Sequence, residues 1–326
     1  MILVITRESD AHGHHMIKLL EQRGVAVSIV DYELFPLEAS MSCTVQGSQL
    51  HLTDKKVVES GMVTSVLNRR EGTPKPPEGI QKEIGEYIIR ETTHLLSSLP
   101  HLFTCLWVNN PDAVTVAGRK PYQLKCAHEH GLQIPETIIT NSPADASDFI
   151  ERLDGMVAVK TLWTPSLVLE DGDKKRQLAL YTRKLSKAEA LRSIKRVQNC
   201  PMIFQRYIEK AFELRITIVG TKVFTAAIHS QMSHHTKEDW RRYDLDNTPH
   251  LPYSLPDNIA EKCVALVQGY GLQFGCIDMI VTPENEYVFL ELNPSGQWLW
   301  IEDLTGLPIS AELENLLCRG ESRYPH

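Results

Sequence analysis

Residues 274–294 read FGCIDMIVTPENEYVFLELNP: two apolar runs, 274–281 and 287–292, on either side of a short polar segment, 282–286. Runs of this length and composition, separated by Pro283 and Asn285, predict two strands joined by a turn. Pairing about that turn sets residues whose numbers sum to about 569 opposite one another, so Asp278 faces Glu291. Side chains alternate along a strand, which brings Asn293 onto the same face as Glu291. Two carboxylates opposed on an apolar hairpin repel, and burying them unpaired is costly. Two arrangements relieve the conflict. In one, a hard divalent cation is held by Asp278, Glu291 and the amide oxygen of Asn293, the ligand types Mg²⁺ prefers. In the other, one acid faces solvent and its neighbour makes a structural hydrogen bond.

Upstream, residues 202–208, 212–219 and 223–229 also read as strands, the last two joined by a tight hairpin at Gly220 and Thr221. Glu213 and Arg215 are two apart and share a face, which leaves Leu214, Ile216 and Ile218 for a core. An acid can hold a ribose hydroxyl and an arginine can hold phosphate bidentately. Taken alone, the two residues also read as an exposed cross-strand ion pair. Lys160 closes a strand at 156–160, and Lys120 begins a helix just after Gly118; either by itself is an ordinary surface lysine. Arg241, in the run Asp239, Trp240, Arg241, adds a candidate phosphate ligand. Neither GxxxxGK[ST] nor GxGxxG occurs, so a nucleotide bound here is not held by a P-loop.

The rest of the chain narrows the class. A hydrophobic fraction of 42% and a charged fraction of 23% over 326 residues describe an ordinary globular protein of two or three units. The net charge of −7 argues against a general nucleic-acid binder. No stretch reaches the roughly 20 apolar residues a membrane span needs. The apolar run 2–6 is followed at once by Arg7, Glu8 and Asp10, unlike a signal peptide. Seven cysteines without a CxxC spacing suit reduced thiols and a cytoplasmic location. The first hundred residues read as alternating α/β: strands at 2–6, 25–30, 63–67 and 104–108, helices at 14–23 and 80–99. Pro100 stops the latter, a hairpin falls near Gly47 and Ser48, and 72–79 is a loop. After a boundary near 109–112 come a helix at 121–130, strands at 136–140 and 156–160, and a polar turn at 171–173 between two β-like runs. A capping box at Ser186 and Glu189 opens a helix toward 198, and a further helix spans 257–268. The expectation is an α/β protein with units at 1–112, 113–200 and 201–326, the last built on an antiparallel sheet.

The order Lys120, Lys160, Gln205 to Ile208, Glu213-x-Arg215, Arg241, Asp278, Glu291-x-Asn293 resembles the ATP-grasp superfamily. The wording CPMIFQ (200–205), ELRITIVG (213–220), FTAAIHSQ (224–231) and YVFLELNPSGQW (287–298) is similar to two branches of it. One contains the ribosomal-protein S6 glutamate ligases, the other the microviridin-type (graspetide) ligases that macrocyclise ribosomal peptides. Residues 68–70 and IPETIITNSP (134–143) extend the likeness upstream. The resemblance implies an ATP-grasp fold with an N-terminal α/β domain, a central lobe and a C-terminal antiparallel-sheet lobe. It implies that Lys120 and Lys160 contact the ATP phosphates and adenine region, that Gln205, Arg206, Tyr207 and Ile208 form the hinge beside adenine, and that Glu213 meets the ribose. Arg215 and Arg241 would hold the γ-phosphate and an acyl phosphate, and Asp278, Glu291 and Asn293 two Mg²⁺ ions. The implied partner is a precursor peptide with a leader and a core rich in Ser/Thr and Asp/Glu, the implied linkage an ω-ester or ω-amide, and the implied assembly a homodimer. Where microviridin relatives carry several acids that grip the leader, residues 186–192 read SKAEALR, leaving Glu189 and the neighbouring Arg192 as candidate leader contacts. The rival readings are a ligase adding glutamate or another amino acid to a protein end, and a catalytically silent ATP-binding module.

Other features read as structural. His12, His14 and His15 suit a solvated helix entry, and Glu312 and Glu314 solvated positions on a final helix. Trp298 and Trp300 read as core or rim packing. His234 and His235 sit in a polar loop at 230–239 that the resemblance places near the nucleotide.

Overall fold

The computed structural model describes residues 1–53, 55–163, 166–171, 174–233, 244 and 247–320. The chain begins β1 (Ile2–Ile5), α1 (Ala11–Gln22), β2 (Val27–Val30), then an antiparallel excursion of β3 (Ser40–Thr44), β4 (Gly47–His51) and β5 (Val57–Glu59). It returns through β6 (Ser65–Asn68), α2 (Lys82–Leu96), α3 (Leu99–Leu102) and β7 (Leu106–Val108). Strands β2-β1-β6-β7 form a parallel sheet. Its central strand β1, ILVI, is apolar without interruption because both of its faces are covered. Ile2 and Val4 pack with Met16, Ile17 and Leu20 of α1, whereas Leu3 and Ile5 pack with Phe35, Leu96 and Phe103 on the opposite face. The helix expected at 80–99 ends at Leu96, and Pro100 sits in the first turn of α3. A proline cannot continue a helix whose carbonyl four residues back it would strike.

The central part contains α4 (Pro111–Ala117), α5 (Lys120–Glu129), β8 (Thr137–Thr140), α6 (Pro143–Arg152), β9 (Val157–Lys160), and the pair β10 (Ser166–Asp171) and β11 (Lys174–Ala179). These are followed by β12 (Arg183–Leu185), α7 (Lys187–Arg192) and β13 (Met202–Arg206). Strands β12-β9-β13-β8 make an antiparallel sheet, covered by α6 and α7 through Ile150, Leu153, Ala190 and Phe204. The capping box at Ser186 and Glu189 is present, but α7 stops at Arg192 and a 3-10 turn covers Ile194–Asn199. Ser193, Ile194, Val197 and Asn199 are weak helix formers.

The last part is β14 (Phe212–Val219), β15 (Lys222–Ile228), β16 (His250–Pro252), α8 (Asp257–Gly269), β17 (Phe274–Val281), β18 (Tyr287–Asn293), α9 (Leu299–Thr305) and α10 (Ile309–Arg319). Strands β16-β15-β14-β17-β18 are antiparallel. One face, with Leu214, Ile216, Ile218, Ile277 and Met279, is buried against α5 and α8. The other carries Glu213, Arg215 and Asp278. Gly220 turns the β14–β15 hairpin with φ +59°.

The N-terminal and C-terminal sheets share a core. Phe274, Trp298, Leu313 and Leu316 pack with Ile2, Val4 and Leu20. Asn109 staples them: its Oδ1 accepts from the N–H groups of Gln273 (2.8 Å) and Phe274 (3.0 Å), and its Nδ2 donates to the carbonyls of Phe274 and Pro294, both at 2.7 Å.

Two minor expectations are corrected. Asp10 caps α1, whose first turn presses Gly13 against Thr6 and carries His12 inward. His12 is buried with its ring edge-on to Trp298 at 4.5 Å. Burial, aided by the charge of Arg69, pushes its pKa down to about 4. Glu312 and Glu314 are ion-paired with Arg319 (3.2 Å) and Arg23 (3.6 Å) and largely shielded.

Candidate active site

Strands β17 and β18 pair with Asp278 opposite Glu291, Ile277 opposite Leu292 and Cys276 opposite Asn293. This is the expected register. Past Asp278 it slips by one, with Met279 opposite Phe289, so Leu290 is an extra residue in β18. A bulge of this kind bends the strand and re-aims its neighbours.

On the other side of β17, Arg215 of β14 lies opposite Asp278. Its Nη1 donates to Asp278 Oδ1 at 2.8 Å and its Nη2 to the Gln297 carbonyl at 3.1 Å, while Nε has no hydrogen-bond partner among the described residues. Burial opposes the guanidinium charge, but Cys276, Asp278 and Glu291 outweigh it and hold the pKa above that of an ordinary arginine. Glu291 Oε2 accepts from Lys120 Nζ, on the first residue of α5. Asn293 Nδ2 donates to Asp278 Oδ2 at 3.2 Å and Glu291 Oε1 at 3.4 Å. The three residues converge on one point, and neither acid is left to solvent alone.

This donor set suits a hard cation. A half-turn of the Asn293 amide exchanges nitrogen for oxygen, after which two carboxylates and an amide present only oxygen, as Mg²⁺ requires. Lys120 and Arg215 now supply the positive charge these acids need. Among the described residues there is no cluster of three or more His, Cys, Asp and Glu side chains.

A cleft of 210 Å³ runs from this triad to the central sheet. Lys120, Asp278, Glu291 and Asn293 line one end, with Leu290 of the bulge beside them. Lys160, Gln205, Arg206, Tyr207, Ile208 and Glu213 line the remainder. Gln205 is buried and donates to Thr137 Oγ1 at 2.9 Å; the Lys184 ammonium lies 4.1 Å from the Tyr207 ring centre. Glu213 is not in an exposed cross-strand pair. Its partner is Lys210, and both side chains are buried. Lys210 also lines the cleft and was not singled out from the sequence, although a lysine three residues before an acid at a strand entry is a readable signal.

The remaining candidates lie elsewhere. Arg241 falls outside the described residues, as do Asp239, Trp240, His234 and His235. Glu189 and Arg192 sit on α7 and do not line the cleft. The Glu189 carboxylate accepts from the Ser186 hydroxyl (2.6 Å) and N–H (2.8 Å), which lowers its pKa.

A second cleft, of 480 Å³, meets the first at Lys120, Asp278, Glu291 and Asn293. Arg70, Trp163, Arg215, Trp300 and the loop 294–297 complete its walls. Arg70 is exposed and has no hydrogen bond or ion pair among the described residues. Trp298 is fully buried and donates to Ser310 Oγ at 2.9 Å.

A model of the RimK-like ATP-grasp domain matches residues 119–317. A RiPP-associated ATP-grasp ligase of Chryseobacterium gregarium, solved with ADP and a leader and core peptide, is similar to this chain at 28% identity and a TM-score of 0.87, over 100% of this chain and 97% of that one. Macrocyclase MdnC of Microcystis aeruginosa MRC, solved with precursor peptide MdnA, is 31% identical with a TM-score of 0.85, over 98% and 100%. A probable alpha-L-glutamate ligase of Desulfotalea psychrophila is 27% identical over 217 residues, 64% of this chain. The match spans only 42% of that longer relative.

Proposed function

The chain belongs to the RimK-like ATP-grasp family and is an ATP-dependent ligase, and from that premise we propose that it macrocyclises a ribosomally made precursor peptide. In this reading, Asp or Glu side chains of the peptide core are phosphorylated by ATP. A Ser or Thr hydroxyl, or a Lys amine, of the same peptide then displaces phosphate to close an ω-ester or ω-amide ring. The observation that carries the reading is the pair of clefts meeting at Asp278, Glu291 and Asn293, one lined by the nucleotide candidates and the other roomy, with two arginines and two tryptophans in its walls. The likeness over essentially the whole chain to two peptide-bound proteins, a RiPP-associated ATP-grasp ligase and the macrocyclase MdnC, supports it.

A carboxylate is a poor electrophile, and its phosphorylation supplies a leaving group. The demand on the protein is positioning and charge neutralisation rather than a covalent nucleophile. ATP-grasp ligases use ATP and Mg²⁺, which bring the phosphoryl group and divalent charge. Asp278, Glu291 and Asn293 would hold two such ions. Lys120 and Lys160 would meet the phosphates, residues 205–208 the adenine, and Glu213, with its charge offset by Lys210, the ribose. Arg215, fixed by Asp278 and the Gln297 carbonyl at the wall of the second cleft, would bring its charge to the phosphoryl group. Arg241 is a second candidate for that task. Arg70, the uncommitted cation of the second cleft, holds the incoming carboxylate. The units 1–112, 113–200 and 201–326 and a homodimeric assembly complete the proposal, with Glu189 and Arg192 on α7 as leader contacts.

The test is to mix enzyme, MgATP and a precursor peptide of the kind proposed, with a leader and a core rich in Thr/Ser and Asp/Glu, such as a small reading frame beside the gene would encode. Mass spectrometry should show loss of one water for each ring closed. ADP release with free glutamate and a protein end, and no peptide dehydration, favours instead the activity named for the curated relative.

A further inference from the structure

Loop 294–297 follows Asn293 directly, and each of its four carbonyls accepts a hydrogen bond from a buried side chain. Asn109 Nδ2 donates to Pro294 at 2.7 Å, Arg69 Nη1 to Ser295 at 3.2 Å and Gly296 at 3.4 Å, and Arg215 Nη2 to Gln297 at 3.1 Å. The loop also touches Arg215 closely: a Cβ on Gly296 would lie 2.8 Å from Arg215 Nη2 and 2.6 Å from the Cys276 sulfur. Asn109 and Arg69 both precede residues 119–317, the segment matched by the family model. Part of the frame around the phosphoryl-transfer arginine therefore comes from the N-terminal sheet.

Arg69 is an expensive residue for that place. It directly follows β6, with a side chain only 3% exposed. Its guanidinium carbon lies 4.7 Å from the ring centre of Trp298, and its Nε is 3.7 Å from Asp10 Oδ2, too far for a hydrogen bond. Nε and Nη2 have no hydrogen-bond partner among the described residues. Stability alone does not call for such a group, since a well-packed apolar side chain of similar volume commonly serves as well or better. What an apolar chain cannot do is fix two successive carbonyls. Asp10 keeps its own partners without Arg69, because it accepts from Gly13 N–H at 3.2 Å and Thr6 Oγ1 at 3.0 Å.

We propose that Arg69 is a positioning residue for the ligase reaction: standing on Trp298 and steered by Asp10, it clamps Ser295 and Gly296 so that the Gln297 carbonyl holds Arg215 in its working orientation. This rests on the ligase chemistry of the family and on the role given to Arg215, not on the identity of the peptide. The chain responsible runs from one buried arginine to another through three residues of backbone.

The experiment compares Arg69→Met, Arg69→Lys, Arg215→Met and the double Arg69→Met/Arg215→Met protein. ADP release from MgATP, with water as acceptor, gives turnover, and calorimetry gives MgADP affinity. Arg69→Met is expected to lower kcat about tenfold or more with MgADP Kd unchanged within about twofold, and Arg69→Lys to lie between it and the parent. In the Arg215→Met background, Arg69→Met should change kcat by less than about twofold, since residues acting through one group are non-additive. The proposal is overturned if Arg69→Met turns over like the parent, if MgADP affinity falls in step with kcat, or if the two substitutions multiply. Should Arg69→Met fail to fold, Arg69→Lys carries the same comparison in both backgrounds.

Discussion

Replacing Glu291 by Gln separates metal binding from folding, because of how the residue is placed. The side chains of Glu291 and its partner Lys120 are 22% and 26% exposed. Loss of a partly solvated pair of this kind costs folding about 0–1 kcal/mol, which lowers the melting temperature by at most about 3 °C at this size. The effect on a bound divalent cation is larger. Two unit charges 4 Å apart attract by about 4 kcal/mol at an effective dielectric constant near 20. The amide oxygen of the glutamine recovers part of this as a neutral ligand. A net loss of about 2.7 kcal/mol corresponds to about 100-fold in affinity. ADP formation followed across a Mg²⁺ titration should therefore show half-saturation displaced upward by about two orders of magnitude, while scanning fluorimetry shows a melting point near that of the parent. Turnover within threefold of the parent at every Mg²⁺ concentration would refute the assignment of Glu291. So would a loss of activity no greater than the fraction unfolded.

Other substitutions probe separate links. Arg70→Gln should raise KM for the carboxylate-bearing peptide about tenfold, the cost of one charge-assisted contact, while KM for ATP stays put in the same steady-state assay. Lys120→Met frees Glu291 from its cation; MgADP binding by calorimetry should weaken, whereas Mg²⁺ added without nucleotide should bind more tightly than in the parent. Asn109→Ala strands buried N–H and carbonyl groups of Gln273, Phe274 and Pro294, at a cost of about 4 kcal/mol, to be read as a urea midpoint shifted down without a change in slope. His12 is neutral in the folded chain to about pH 4 but protonates near 6.5 when unfolded. Stability is thus complete above pH 6.5 and is lost progressively down to about pH 4, by up to about 3 kcal/mol. His12→Phe, measured by urea unfolding between pH 7 and 4, should flatten that slope.

The hairpin at 274–294 could be read so far ahead because its information is local. Two apolar strands and a five-residue turn fix which residues oppose each other, and two facing acids then call for a neutralising partner or for exposure of one of them. What escaped was the one-residue slip at Leu290, since alternation counts residues and cannot see a bulge. The N-terminal sheet was legible for a similar reason: ILVI with both faces buried leaves few alternatives. Helix ends were less so. Pro100 marks the stop of α2 in the sequence, yet a proline acts on the carbonyl four residues earlier, which moves the end to Leu96.

Contacts across the chain were largely invisible. Lys120 and Glu291 are 171 residues apart, and nothing in either neighbourhood names the other; only a family resemblance put them in one site. His12 looked solvated because Asp10 was not read as the cap that starts α1 and turns the histidine toward Trp298. Arg69 was noticed only as wording shared with relatives, because an arginine gives no local sign that it is buried.

The charges at the triad explain why these distant pairs matter. Asp278 and Glu291 carry two negative charges, and Arg215 and Lys120 answer them with two positive ones. The hairpin is therefore electrically closed without a metal, which allows two facing carboxylates to be built into an apolar sheet at all. The two cations are not equivalent. Arg215 is held at two points, by Asp278 and by the Gln297 carbonyl, whereas Lys120 reaches Glu291 from a helix end through a flexible chain. On the proposed reading, a divalent ion at the triad would displace the cheaper contact, and Lys120 would be the one to turn toward phosphate. Binding would then be an exchange of partners with little net burial of charge, the rigid half of the site staying as the folded chain made it.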